Sequence, residues 1–314
     1  VFEVLLLVLG QTGFAEEIFN FGGSVVSYYQ AGNLASGAGY NVDLEGELNF
    51  PFVSFYARTH GGKGTGSEGN LNTLADDNTD DFVRVLESYA KLNWKNLEIY
   101  AGRTEPPVFI DQSDFANDEK TQFVSKPFVN NPIADSEFRF APLVGFKLTV
   151  EKFELAGVYQ SEEFTDWNFA HPFSAFQVSY IGERKTVRTY YWNSDTEEGN
   201  NWGIGVSGDY YLTERLGVFG RASYGEKDAY ELNKFFSLGF VLKDIVFKGK
   251  DLIGLGTAVL APTGSGKKEY HVETYYKVKV KNLSFSCGFQ YVVNSYNFGL
   301  KNAYSFLFRT GIEF

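Results

Sequence analysis

From Tyr304 to the final residue the chain alternates strictly. Tyr304, Phe306, Phe308, Thr310, Ile312 and Phe314 share one parity, and Ser305, Leu307, Arg309, Gly311 and Glu313 share the other. A period of two is that of a strand with unlike faces, because successive side chains point to opposite sides. The face carrying Arg309 and Glu313 needs water, and the aromatic face can meet lipid. The reverse assignment would cost about 2 to 4 kcal/mol for each cation at the bilayer midplane. The same argument puts Val53, Phe55 and Ala57 outward with Ser54, Tyr56 and Arg58 inward. It puts Val187, Thr189 and Tyr191 outward around Arg188, and Val218, Gly220 and Ala222 outward around Arg221. Between residues 271 and 280 the outward set is Val272, Thr274, Tyr276, Val278 and Val280; the inward set is His271, Glu273, Tyr275, Lys277 and Lys279.

No stretch of 18 or more apolar residues occurs, which excludes membrane helices, since each would need about 20. With 31 Phe, 20 Tyr and 33 Gly at a slightly negative mean hydropathy, the composition suits strands with one wet and one lipid face. The expected fold is therefore all-β: a closed antiparallel transmembrane barrel of about sixteen strands, an even number. Tight turns are expected at 50–52, 95–96, 152, 182–184, 213–215 and 281–282. They alternate with longer connections at 61–82, 105–142, 161–172, 193–201, 226–233 and 261–268. Short turns at one end and long loops at the other match the periplasmic and external ends of a bacterial barrel.

Residues 1–15, VFEVLLLVLGQTGFA, hold an apolar core from Val4 to Leu9 and then Gly13, Phe14 and Ala15, so they read as a secretory signal cut before Glu16. A short buried strand or helix is the alternative for this segment. Residues 16–314 form the expected barrel domain. Cys287 is the single cysteine, so no intrachain disulfide can form. The net charge of −11 makes nucleic acid an unsuitable partner, because phosphate neutralisation needs a basic surface. The acidic residues gather in turn-like runs such as 74–81, LADDNTDD. No cofactor or metal is implied: His60, His171 and His271 lie in separate segments without ligand spacing. The run 261–269, APTGSGKKE, fails the phosphate-loop pattern twice, with Ala261 where Gly is required and Lys268 where Ser or Thr is required. Nothing points to an enzyme.

The longest connection carries the sequence DQSDFANDEKTQFVSKPFVNNPI from Asp111 to Ile133. Its Asp114-Phe115-Ala116-Asn117-Asp118-Glu119 run, Thr121-Gln122-Phe123, and Phe128-Val129-Asn130-Asn131-Pro132 resemble the carbohydrate-selective porins of the OprB family. Ala101-Gly102-Arg103 ahead of it, the Glu273 to Tyr276 run ETYY, and Phe289-Gln290-Tyr291-Val292 extend the resemblance over most of the chain. Cys287-Gly288 and Asn294-Ser295 depart from the family pattern. The resemblance implies a monosaccharide-preferring diffusion channel in the outer membrane, with small sugars and outer-membrane lipid as partners. Phe314, an aromatic residue closing an alternating strand, is in addition a feature in which outer-membrane proteins resemble one another, and recognition of it by the barrel assembly machinery is expected. Monomer and homotrimer both stay open.

A sugar channel needs donors and acceptors that engage hydroxyls weakly enough to let go. Inward Arg58, Glu87, Lys91, Arg188, Arg221, Glu273 and Arg309 supply these. If the long connection folds inward, Asp118, Glu119, Asn130 and Asn131 join them at a constriction. Arg103 falls on the apolar-facing parity of its strand and is included as a rim residue or one turned inward by a bulge. Against this stands a plainer reading: charges of both signs brace a wet wall, and Asp118 and Asn131 tie the loop to itself through turns. A general or anion-selective porin and a filled structural or adhesive barrel are the competing functions. Glu87, Glu273 and Glu313 among the inward basic residues argue against the anion channel, and the strand count argues against a filled interior.

Overall fold

The computed structural model describes residues 18–34, 36–65, 84–135, 140–161, 167–196, 199–226, 232–262, 264–296 and 299–314. The residues read as a signal lie outside the described residues. Sixteen strands follow one another in a simple meander. The first five are β1 (Phe19–Gly32), β2 (Ser36–Asn49), β3 (Val53–Thr65), β4 (Arg84–Trp94) and β5 (Leu97–Thr104). A long inner loop, described over 105–135, then carries two single-turn helices, α1 (Lys126–Val129) and α2 (Pro132–Asp135). The strands resume with β6 (Ala141–Val150), β7 (Phe153–Gln160), β8 (Phe173–Ile181), β9 (Lys185–Thr196), β10 (Gly199–Tyr211) and β11 (Leu216–Gly225). The last five are β12 (Leu232–Lys243), β13 (Asp251–Pro262), β14 (Glu269–Val280), β15 (Leu283–Ser295) and β16 (Lys301–Glu313).

Every strand pairs antiparallel with its sequence neighbours, and β16 pairs with β1 to close the barrel, with Ser24 opposite Glu313 and Gly32 opposite Ser305. The backbone of Phe314 extends the seam by exchanging hydrogen bonds of 2.9 and 3.0 Å with Gly23. Closure leaves no edge strand, which matters in lipid because an unpaired amide has no water to turn to. The face assignments read from periodicity hold. Along β16, Ala303, Ser305, Leu307 and Arg309 are buried inward, whereas Tyr304, Phe306, Phe308 and Ile312 stand exposed on the outside.

One expected loop is absent. The polar run 193–201 continues the ladder instead, with Asp195 paired to Asn200 and Thr196 to Gly199. Polar composition suggested a loop, but above the membrane both faces of a hairpin meet water, so Asn and Asp cost the pairing nothing there. Likewise β3 runs through Gly61 to Thr65 before the undescribed 66–83.

The apolar core sits inside the barrel. Phe109, Ile110, Phe115, Phe123, Phe128 and Ile133 of the inner loop pack with Tyr190, Trp192, Phe219 and Tyr275 of the wall. Phe123 meets Phe219 and Tyr275 edge-on at 5.3 and 4.9 Å. Wall glycines make the room. A methyl group on Gly217 would lie 2.1 Å from the Phe115 ring, and one on Gly145 would lie 2.4 Å from the Phe109 ring. Neither contact is sterically possible, so glycine is what lets the aromatic rings lie flat against the sheet.

Candidate functional site

The inner loop leaves β5, sweeps around the inside of the barrel and is pinned in sequence by wall side chains. Gln177 on β8 accepts from the Asp111 amide at 2.8 Å. Asp209 on β10 accepts from Ser113 at 2.6 Å and from Arg188 at 2.7 Å. Arg221 on β11, 2% exposed, is the central anchor. It pairs with Asp111 at 3.1 Å and donates to the carbonyls of Phe128 at 2.6 Å and Ala116 at 2.7 Å, and to Asn117 Oδ1 at 3.2 Å. One guanidinium thus satisfies both the outgoing and the returning limb, a task its planar fork of five donors suits and a lysine's point charge does not.

Further round, Glu273 on β14 accepts the amides of Val124 and Ser125 at 2.8 and 2.7 Å. Ser125 Oγ sits 2.9 Å from His271 Nδ1, and His271 Nε2 sits 2.6 Å from Glu269. Arg309 on β16 donates to the carbonyl of Gln122 at 2.7 Å and to that of Glu119, and to Ser286 Oγ at 2.9 Å. Asn131, fully buried, donates to Tyr190 at 3.1 Å and accepts from Ser223 at 2.8 Å and from the Ile133 amide. Asp118 accepts from Thr121 Oγ1 at 2.6 Å and from the Lys120 amide at 2.9 Å, a self-contained turn at the loop tip.

With the loop packed against the wall from β6 to β14 and its tip held by Arg309 of β16, the opening that remains lies along β1 to β4 and the end of β16 near Gly311 to Phe314. It is an opening of about 860 Å³, bounded on the wall by Asn41, Asp43, Arg58 and His60 and on the loop by Asn117 to Thr121, Lys126 and Asn130. Six carboxylate residues face it, Asp43, Glu45, Glu105, Asp118, Glu119 and Glu313, against three cations, Arg58, Lys120 and Lys126. Arg58 pairs with Glu87 at 3.0 Å and lies 5.5 Å from the centre of the Phe140 ring. Glu87 also accepts from Thr104. A smaller space of about 360 Å³ lies between the loop near Gln112 and the β8–β9 turn, with Arg188 and Asp209 on its wall.

The twelve residues expected at a constriction therefore separate. Arg58, Asp118, Glu119 and Asn130 line the opening, with Glu87 behind Arg58. Arg221, Glu273, Arg309 and Asn131 are buried as anchors of the loop, and Arg188 is committed to Asp209. Lys91 points inward on β4, away from the opening. Arg103 keeps the outward parity of β5 and donates to the carbonyl of Leu86 at 3.0 Å. A bulge does occur beside it, on β4, where Leu86 is the extra residue between Val85 and Glu87, but it does not turn Arg103 inward. Asp43 and Lys120 were not among the residues singled out in the sequence, and His60 was weighed there only as a metal ligand. Asn41, Asp43, Glu45 and Glu47 share one parity in β2, and that run of polar side chains was the signal available.

A model of carbohydrate-selective porins of the OprB family matches residues 16–314. The chain belongs to the OprB family. An uncharacterized protein of Aquifex aeolicus (strain VF5) is 30% identical over 234 residues, covering 73% of this chain and 69% of its own length. In fold, this OprB-family chain is similar to Pseudomonas putida OprB in its high-pH structure. The TM-score is 0.77 at 15% identity, over 97% of this chain and 96% of that one. An anion-selective porin from Comamonas acidovorans is similar at TM-score 0.67 and 11% identity, over 94% of this chain and 99% of that one. Family and barrel together place the protein in the outer membrane, as a carbohydrate-selective porin.

Proposed function

We propose that this porin lets neutral monosaccharides such as glucose diffuse into the periplasm through the opening between the inner loop and β1 to β4. The observation that carries the reading is the lining itself. Carboxylates, guanidinium, ammonium and amide groups face one another across a space of about 860 Å³, so a polyol finds donors and acceptors on every side. Most of these groups already have protein partners, as Arg58 has Glu87, so they exchange hydrogen bonds with a passing sugar without holding it. The excess of carboxylates over cations disfavours an anion-selective channel, which would need a basic lumen. Export by way of residues 1–15 and barrel assembly through Phe314 belong to the same reading.

The test is single-channel conductance in a planar bilayer, titrated with glucose, a disaccharide and phosphate. Partial block by glucose at millimolar levels with little effect of phosphate is the expected result. Block by phosphate alone would shift the assignment to an anion channel, and absence of conductance would remove the channel reading.

A further inference from the structure

The loop tip, residues 118–122, is held from two sides by different means. On one side Arg309 of β16 and Lys277 of β14 take its backbone carbonyls, Lys277 reaching Thr121 at 3.2 Å. Toward β2 the link runs through a loop side chain: Lys120 Nζ donates to Asp43 Oδ2. The other oxygen of that carboxylate lies 2.7 Å from His60 Nδ1. Asp43 and His60 sit directly opposite each other in the β2–β3 register, so two strands present the seat for Lys120. All three side chains border the 860 Å³ opening. The lysine and aspartate side chains are 17% and 9% exposed, so the bridge is neither a solvated surface pair nor a sealed one.

We propose that Lys120, seated on Asp43 and His60, sets the upper solute size of this channel. The backbone anchors on β14 and β16 fix where the tip stands. The extended lysine side chain then shuts the gap between the tip and β2, and confines passage to the part of the opening near Arg58 and Asn130. A bridge between a loop and a wall is the economical way to set such a limit, because removing one side chain widens the passage without releasing the loop. This inference rests on the sugar-channel reading above.

The test uses the full-length protein in liposomes, with swelling rates in glucose and in a disaccharide. Neutral solutes report width rather than charge. Lys120→Ala and Asp43→Asn are each expected to raise the disaccharide-to-glucose rate ratio by roughly five- to tenfold, since transit falls steeply as solute and pore widths converge. The exchange Lys120→Asp with Asp43→Lys is expected to return the ratio toward that of the parent. Folding of each variant is checked by its heat-modifiable mobility. An unchanged ratio in both folded single variants would overturn the proposal, as would a changed potassium-to-chloride selectivity with an unchanged sugar ratio, which marks a purely electrostatic role. A parent protein that admits neither sugar would instead overturn the sugar-channel reading.

Discussion

The inside of this barrel is two walls built from the same pattern. Along β6 to β15 inward side chains are consumed by the loop: Arg221 holds Asp111 and two carbonyls, Glu273 holds two amides, and Tyr190 and Ser223 hold the buried Asn131 of the loop. Along β1 to β4 inward side chains of the same chemical types, Glu45 and Arg58, face the opening without a partner from the loop tip. Sequence parity is identical in the two regions, and what separates an anchor from a lining residue is whether the loop lies over it. A buried anchor has its charge neutralised by fixed protein groups, whereas a lining residue keeps part of its hydrogen-bonding capacity for whatever passes.

That contrast predicts unequal mutational costs. Arg221→Ala strands the Asp111 carboxylate and several loop carbonyls in the core, and should cost about 3 to 5 kcal/mol in urea unfolding from vesicles, with a larger and noisier conductance. Parental stability and conductance in this variant would abolish the distinction between the walls. Glu273→Gln keeps the shape but leaves one loop amide facing an amide group. A loss of about 1.5 to 3 kcal/mol is expected by the same measurement, as for hydrogen bonds to a charged acceptor. Gly217→Ala drives a methyl group into Phe115 and should destabilise by about 1 to 3 kcal/mol, while Gly264→Ala is unsuitable as its control because that residue has φ 82°. The suitable control is Gly220→Ala on the outward face of the same strand, where the nearest atom to the new methyl is at 3.4 Å.

On the open wall the expected effects move from stability to transport. Arg58→Ala should cost only about 1 kcal/mol, since Glu87 keeps its bond from Thr104. Reversal potentials in a salt gradient should shift toward cations, because one of three lining cations is lost against six carboxylates. Arg103→Ala is expected to have the smallest effect, under about 1 kcal/mol for its bond to the Leu86 carbonyl, with glucose block unaltered. A changed glucose block in that variant would place Arg103 functionally on the lumen despite its outward parity.

The closed barrel, the faces of its strands and the inward loop with its FANDE run were legible in the linear chain. Alternation is local: whether Phe306 or Arg309 meets lipid follows from the cost of burying a charge in hydrocarbon and needs no partner. The end of β9 was misjudged because composition reports polarity, and polarity alone does not separate a loop from a hairpin standing in water. The wall residues of the candidate set, Arg103 excepted, do turn inward, but inward parity does not separate a loop anchor from a lining residue. Arg221, Glu273 and Arg309 all read as lining because their strands turn them inward, and nothing in their own segments shows that a loop more than 60 residues away in the chain occupies them.

By itself, then, the sequence determined that this chain crosses a membrane with strands, which faces are wet, and which family motif fills its longest connection, because those properties depend on residue type and period. Only the tertiary structure decided that Arg221 is an anchor, that Arg58 borders the opening, and that Lys120 spans to Asp43. Those outcomes depend on where a loop anchored at one strand comes to rest against strands distant in sequence. The physical reason is that an inward charge takes whichever partner lies closest in space, protein or solute, and closeness in space is set by the closed barrel rather than by order along the chain.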